Sequence, residues 1–256
     1  MARKRAEWLQ FGDGRTYFHR VHRPLQCLVF IVPLLLFYQI ASFVTPLETG
    51  GGNWHVVAFV LMLRFFAFFG AVGNVLPLLA VVAILLFWHL ARKDPWDFDP
   101  RLYAGMFAES VIWGVPFVII GLALQRHLPG PAAGIGGVVP AADTVSWQTG
   151  MVLSVGAGVY EELLFRLIAI NLLSMIFMDV FEMKAGGGMA LIIVVSAVLF
   201  SLYHYLGAEP FSMATFGFRT AMGIYLAGVY VYRGFGIAVG AHTVYDLIVV
   251  AFMHAR

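Results

Sequence analysis

Residues 147–180 read WQTGMVLSVGAGVYEELLFRLIAINLLSMIFMDV, an apolar run that carries Glu161, Glu162 and Arg166 near its middle. The run is longer than the roughly 20 apolar residues with which an α-helix crosses a bilayer. A charged side chain at the centre of such a helix costs roughly 2.5–3.5 kcal/mol on insertion scales. Three charges at that depth therefore predict a functional site inside a membrane helix.

The rest of the chain has the same character. Of its 256 residues, 61% are hydrophobic and 12% are charged, and the mean hydropathy is +0.86. These values exclude an ordinary soluble domain. They predict an all-α, polytopic membrane protein with about seven or eight transmembrane helices. The single cysteine, Cys27, excludes an intramolecular disulfide and indicates lipid-facing or core packing, and nothing in the composition indicates a nucleic-acid partner.

The chain divides into three parts. Residues 1–24 mix aromatic and basic side chains, which suits an N-terminal segment at an anionic membrane surface, and the positive-inside rule places this end in the cytoplasm. Residues 25–146 hold the N-terminal transmembrane helices, and residues 147–256 hold the predicted catalytic core. Because no cleavage site follows the first apolar run, we expect the first helix to be retained, as in a multi-pass protein of a prokaryotic inner membrane.

The boundaries of the membrane helices follow from the apolar runs and the residues that break them. Gly70, Gly73 and Asn74 interrupt the stretch 55–91. Either residues 55–70 lie partly in the interface before a single span at about 73–91, which is the arrangement we expect, or the stretch is a hairpin of two short spans. The Ala/Gly/Pro-rich stretch 129–142 predicts an external loop. The other predicted spans are 25–44, 102–124, 189–206, 211–232 and 235–253.

Two further segments carry ionisable side chains at helical spacing. They read Phe200-x-x-x-His204 and His242-x-x-x-Asp246, and residues four apart share a helix face. An aspartate beside an imidazole can fix its tautomer, so Asp246 is predicted to orient His242. By the same spacing Glu162 and Arg166 are predicted to form a structural clamp.

Glu161 points about 100° away from the face that Glu162 and Arg166 share, so it is free to act chemically. Three other intramembrane charges, Arg64, Glu109 and Arg219, are interpreted as partners of this set or as cavity-lining groups. Tyr203 and Tyr205 are interpreted as anchors at the membrane interface. The pattern Gly236-x-x-x-Gly240 permits close approach of two helices.

The ordered motifs E-E-x-x-x-R, F-x-x-x-H and H-x-x-x-N/D resemble those of the CAAX-processing and bacteriocin-processing membrane protease family, also called CPBP or Abi. The resemblance covers roughly residues 147–253. It implies a CAAX prenyl endopeptidase-like intramembrane glutamic protease that needs no metal or cofactor. Its substrates would be prenylated CAAX proteins, bacteriocin leaders or other membrane-anchored peptides.

The resemblance also implies roles for single residues. Glu161 and His204 would activate a water, and His242 with Asp246 would stabilise the oxyanion. Because an ionised aspartate cannot donate a hydrogen bond, we assign the donor role to His242 and an orienting or charging role to Asp246. The supporting residues are Glu162, Arg166 and Phe200.

Two other interpretations stay open. Two histidines with a glutamate and an aspartate could hold Zn²⁺, which would make the protein a zinc-dependent membrane protease. The same buried charges could instead form the relay of a proton-coupled transporter or a non-catalytic binding protein. Inverted repeats would favour the transporter, and none is evident in the sequence.

Overall fold

A computed structural model describes residues 17–44, 48–49, 52–53, 56–127, 146–206 and 210–254. It confirms the all-α prediction and adds one antiparallel pair of two-residue strands. The predicted loop 129–142 and most of the N-terminal segment lie outside the described residues. The elements are α1 (Tyr17–Arg20), α2 (Pro24–Val44), β1 (Glu48–Thr49), β2 (Gly52–Asn53), α3 (Val57–Phe68), α4 (Leu76–Arg92), α5 (Pro100–His127), α6 (Trp147–Val180), α7 (Ala185–Tyr203), α8 (Met213–Arg233) and α9 (Phe235–His254).

Five helices in the described ranges are long and apolar enough to cross a membrane, namely α2, α5, α6, α7 with the turn that follows it, and α9. The chain is therefore a polytopic membrane protein. Helix α8 has 21 residues but is less apolar, while α3 and α4 are shorter apolar helices. The number of seven or eight crossings stays a prediction.

The predicted break in the stretch 55–91 is present. Helix α3 ends at Phe68, and Gly70 adopts φ +79°, a left-handed conformation that suits glycine. The next helix, α4, begins only at Leu76. With 12 residues, α3 spans only about 18 Å, too short to cross a bilayer alone.

Contacts near Arg20 bring the start of α2 and the end of α4 to the same end of the bundle. Arg20 donates to Asp99 at 2.8 Å and to Asp97 at 3.0 Å, and this ion pairing lowers the pKa of Asp99. Gln26, in the first turn of α2, donates to Asp97 at 2.8 Å. After α2 the chain therefore returns, before α5, to the end of the bundle at which α2 begins.

Helix α9 lies at the centre of the bundle and packs along both α5 and α6. Small residues permit this packing. A Cβ on Gly240 would collide with the Ser110 side chain of α5, and a Cβ on Gly158 of α6 would collide with the Thr243 hydroxyl of α9. The predicted close approach at Gly236 and Gly240 is thus present, and it places α9 directly beside the charged part of α6.

Aromatic packing supports α6 just before its charged residues. Tyr38 of α2, Phe59 of α3 and Tyr160 of α6 form a triangle of edge-to-face rings with centroids 5.2–5.3 Å apart. Such pairs add stabilisation beyond the area they bury. Cys27 is also buried, and its thiol donates to the Val21 carbonyl at 3.3 Å, so core packing is its role.

Candidate active site

The Glu-Glu segment lies where α6 changes its winding. The α-helical part ends at Glu162, and a π-helical segment, Leu163–Ala169, follows at once. Short π-helical segments occur frequently at functional sites. The i to i+4 spacing predicts no such change, so sequence reasoning missed it.

The predicted clamp between Glu162 and Arg166 is present and has further contacts. Arg166 Nη1 lies 3.1 Å from Glu162 Oε1, and Nη2 donates to the Gly223 carbonyl of α8 at 3.4 Å. The guanidinium also lies over the Phe200 ring, 4.4 Å from its centroid. Arg166 is therefore held between α6, α7 and α8, with only 1% of its surface exposed.

Glu161 is 1% exposed and has two different oxygen environments. Oε1 accepts a hydrogen bond from the Tyr203 hydroxyl at 2.7 Å. Oε2 lies 3.9 Å from Nε2 of His204 and 3.9 Å from Nε2 of His242, and it has no hydrogen bond within the described part of the chain. These distances are too long for direct hydrogen bonds and suit a bridging water molecule.

The F-x-x-x-H motif fixes the orientation of His204. Its Nδ1 lies 2.7 Å from the Phe200 carbonyl oxygen, which can only accept a hydrogen bond. Nδ1 must therefore carry a proton, and this assignment follows from the partner atom. Nε2 then faces Glu161, and in the neutral ring it is an acceptor.

The shortest polar contact of the His242 ring is with Glu162. Its Nδ1 lies 2.8 Å from Glu162 Oε1, whereas Nε2 lies 3.5 Å from Asp246 Oδ2. The predicted contact with Asp246 is present, but the shorter contact is with Glu162, on another helix. Glu162 therefore contacts His242 as well as Arg166, a contact that the i to i+4 reasoning missed.

A cavity of about 40 Å³ connects these residues. About 10–15 Å³ is enough for one water molecule, so the cavity can hold water beside Glu161. Its polar lining consists of Glu161, His204, Arg219, His242, Tyr245 and Asp246. Its apolar wall includes Phe117, Phe218, Met222 and Leu226.

Tyr203 does not anchor the protein at the membrane interface, so that prediction is wrong. The residue is 5% exposed, donates to Glu161, and accepts a hydrogen bond from the Ala58 amide at 3.2 Å. Tyr205 is also partly buried, and its hydroxyl donates to the Ser212 carbonyl at 3.1 Å. The position of both tyrosines next to His204 in the sequence was a signal that they lie near the site. Local spacing, however, does not show which residues of different helices contact each other.

The three other charged residues predicted to lie in the membrane have different locations in the structure. Arg219 lines the cavity, as the sequence allowed. Glu109 lies elsewhere and pairs with Arg233, whose Nη2 donates to it at 2.8 Å. Arg64 is exposed on α3 and is not among the residues that line the cavity.

No group of three or more His, Cys, Asp or Glu side chains in the described ranges is arranged as a metal site. Four ionisable residues of the three motifs nevertheless line one cavity, although they come from α6, from the turn after α7 and from α9, namely Glu161, His204, His242 and Asp246. A carboxylate oxygen that faces two imidazoles across a small cavity is suited to acid–base chemistry on a water molecule.

Residues 143–248 match the family model for type II CAAX prenyl endopeptidase Rce1-like proteins. Comparison with curated proteins gave no match, and comparison with solved structures gave none either. The matched region contains all three motifs and every polar residue that lines the cavity. The match covers less than half of the chain, and within that region it confirms the resemblance to CAAX-type membrane endopeptidases.

Proposed function

We propose that this protein is an intramembrane endopeptidase that uses Glu161 to activate water and hydrolyse a peptide bond of a membrane-anchored, CAAX-type substrate. One observation carries the proposal. A single oxygen of Glu161 lies 3.9 Å from Nε2 of His204 and 3.9 Å from Nε2 of His242, and all three residues line one cavity. The family match of residues 143–248 supports the same activity.

Hydrogen-bond counting assigns complementary roles to the two imidazoles. A water between Glu161, His204 and His242 has two protons to donate and two lone pairs with which to accept. It can donate to Glu161 Oε2 and to the His204 nitrogen. It then needs a donor, which His242 provides when both of its ring nitrogens carry protons, one directed to Glu162.

The reaction follows from this arrangement. The water oxygen bonds to the scissile carbonyl carbon while its proton passes to Glu161, and the carbonyl oxygen becomes an oxyanion that accepts from His242 Nε2–H. Collapse of the tetrahedral intermediate breaks the C–N bond. Glu161 returns the proton to the departing amine nitrogen, so the carboxylate is regenerated.

The supporting residues keep these groups in place. Glu162 accepts from His242 and pairs with Arg166, and the Phe200 ring packs on the Arg166 guanidinium. Asp246 adds negative charge beside His242 and supports its donor role. Removal of one partner from such a buried network costs more than the loss of one hydrogen bond, because the remaining charge is left uncompensated.

The substrate class comes from the family match and from the location of the cavity. A CAAX sequence ends a prenylated protein, so its lipid-modified cysteine lies at the membrane. The cavity lies among helices that are long and apolar enough to cross a membrane.

The test compares cleavage of membrane-anchored and prenylated peptides by the wild type and by Glu161→Gln. Glu182→Gln is a matched control, because Glu182 is exposed and does not line the cavity. We expect cleavage by the wild type and the control, cleavage that persists with a chelator, and loss of cleavage in Glu161→Gln.

Other outcomes identify the alternatives. Loss of activity with chelator and recovery with zinc would establish the metal-dependent protease. A folded wild type that cleaves nothing while it moves protons across vesicles would establish the relay interpretation. Equal cleavage by Glu161→Gln and the wild type would refute the assignment of Glu161.

A further inference from the structure

Two polar side chains in the cavity take no part in the proposed reaction. Arg219 on α8 is 5% exposed, and Tyr245 on α9 is also 5% exposed. Both line the same cavity as Glu161. The Tyr245 hydroxyl is buried and finds no hydrogen-bond partner among the residues that the structure describes. The cavity thus presents a cation and a hydroxyl donor in addition to its reactive groups.

The rest of the lining explains what these two donors can bind. Phe117, Phe218 and Met222 offer no polar atoms that could compensate an anion. Glu161 and Asp246 would repel one. His242 is engaged by Glu162 and used in the proposed reaction. A carboxylate brought into this cavity therefore needs the guanidinium as its counter-charge, since burial of an unpaired carboxylate is costly. The planar fork of arginine matches the two oxygens of a carboxylate.

The position of the Arg219 side chain is set before any ligand binds. Its guanidinium lies 5.7 Å from the centroid of the Tyr205 ring, and the Tyr205 hydroxyl contacts Ser212 and Thr215 at the start of α8. Binding groups that are already ordered lose less conformational entropy when they engage a ligand. Arg219 is therefore better suited to bind a ligand than a mobile arginine on the surface would be.

A CAAX-type substrate brings a carboxylate to this location. The cysteine is followed by only three residues, so the free C-terminus lies close to the bond that is cleaved. Three extended residues span at most about 11 Å. Because Arg219 and Glu161 line one small cavity, the guanidinium is within reach of that terminus.

We propose that Arg219, assisted by the Tyr245 hydroxyl, binds the free C-terminal carboxylate of the substrate and so restricts cleavage to bonds near a chain end. This inference rests on the proposed function and adds a basis for substrate choice. Arg219 is a binding residue in this scheme and not a catalytic one.

The experiment uses a peptide with a free C-terminal carboxylate and the same peptide with a C-terminal amide. We expect the wild type to cleave the free acid at least about tenfold more efficiently in kcat/KM, as charge-assisted hydrogen bonds imply. Arg219→Gln should lose this preference by slowing cleavage of the acid only. Arg219→Lys should retain part of the preference, and Arg64→Gln, a matched change on an exposed arginine, should retain all of it.

A binding measurement separates this inference from the proposed function. Acetylated trileucine and its amide are titrated into the purified wild type and the variants. If binding prefers the free acid through Arg219 but no peptide is cleaved, the carboxylate site stands and the protease proposal falls. If Glu161-dependent cleavage occurs without any preference for the acid, the carboxylate site is refuted and the protease proposal stands.

Two further outcomes also refute the carboxylate site. One is a loss in Arg219→Gln that is equal for the acid and the amide, since this indicates a structural role. The other concerns Tyr245→Phe, which serves as the test variant if Arg219→Gln does not fold. That variant keeps the ring and removes only the donor, so an unchanged preference for the acid overturns the proposal.

Discussion

Two groups of ionisable side chains lie inside this helical bundle, and they differ in how completely their polar atoms are bonded. In the closed cluster, Glu109 accepts from the Tyr17 hydroxyl at 2.8 Å and from the Trp113 indole at 3.1 Å. Arg233 donates to both of its carboxylate oxygens. Each oxygen of Glu109 thus has two donors.

The open cluster consists of Glu161, His204, His242 and Asp246. Here Glu161 Oε2 and Asp246 Oδ2 are buried and have no hydrogen-bond partner in the portion of the chain that the structure describes. The nearest donors to Glu161 Oε2 lie 3.9 Å away, at a cavity that can hold water. Glu161 is buried and Glu109 is partly exposed. Both lie near basic groups, but only the open cluster leaves a glutamate oxygen for another molecule.

The comparison separates structural charges from reactive charges. A fully bonded ion pair inside a membrane protein removes much of its own burial cost and connects helices. An incompletely bonded one retains part of that cost, and an enzyme can use it when a substrate completes the hydrogen bonds. The closed cluster therefore predicts effects on stability, and the open cluster predicts effects on activity.

The largest expected effect comes from the same substitution in the two clusters. Glu161→Gln should lower kcat/KM by about 10³-fold because it removes the proposed general base, with little change in melting temperature. Glu109→Gln should lower the free energy of unfolding by about 3 kcal/mol, since Arg233 loses its counter-charge, while the folded fraction cleaves at the wild-type rate. Thermal unfolding in detergent and peptide cleavage measure the two effects. The comparison fails if Glu109→Gln removes cleavage without loss of stability.

A smaller effect is expected from Gly158→Ala, which increases the distance between α6 and α9. The added Cβ would collide with the Thr243 hydroxyl and lie 3.0 Å from its backbone nitrogen. Overpacking of this kind costs about 2 kcal/mol of stability, and the displacement of His242 from Glu161 should also reduce cleavage. Gly186→Ala is the control, because a Cβ at Gly186 meets no atom within 4 Å. Equal stability of the two variants would show that the close helix contact is unimportant.

Tyr203→Phe tests whether a hydrogen bond to the other oxygen of Glu161 supports the open cluster. The change removes the 2.7 Å bond to Oε1 and leaves the ring in place. We expect about a tenfold loss in kcat/KM with a modest loss of stability. Tyr230→Phe, which removes a bond to Asn171 instead, should retain full activity. Identical kinetics for the two variants would remove Tyr203 from the site.

The smallest effect is expected from Asp246→Asn. The substitution keeps an oxygen beside His242, and the amide nitrogen can donate to an oxyanion. Cleavage should change by less than about tenfold, in the range of one hydrogen bond. Steady-state kinetics on one peptide give the answer. A loss as large as that of Glu161→Gln would show that Asp246 itself transfers protons.

Local spacing was sufficient for part of this structure. Apolar runs gave the helices close to their observed ends, and the i to i+4 rule gave the pair between Glu162 and Arg166. The break near Gly70 followed from residues that do not favour helices. These features depend on neighbours within one turn or one segment of the chain.

Contacts between segments far apart in sequence could not be obtained in this way. Tyr203 contacts Glu161 across 42 positions, and Glu162 contacts His242 across 80. Glu109 and Arg233 are separated by 124 positions. Which residues of two helices meet depends on helix packing and on glycine contacts such as that of Gly158, and a single sequence does not encode these in a local pattern.

The shared oxygen of Glu162 has a consequence for the interpretation of mutational data. Oε1 lies 3.1 Å from the Arg166 guanidinium and 2.8 Å from the His242 imidazole, so three side chains depend on one atom. Their single-variant effects will be strongly non-additive, because the first substitution already disrupts what the other two would disrupt. A sum of the losses measured for the single variants of Glu162, Arg166 and His242 would count the same interaction energy more than once. Double-mutant cycles that include Glu162 are needed to measure the energy of each pair.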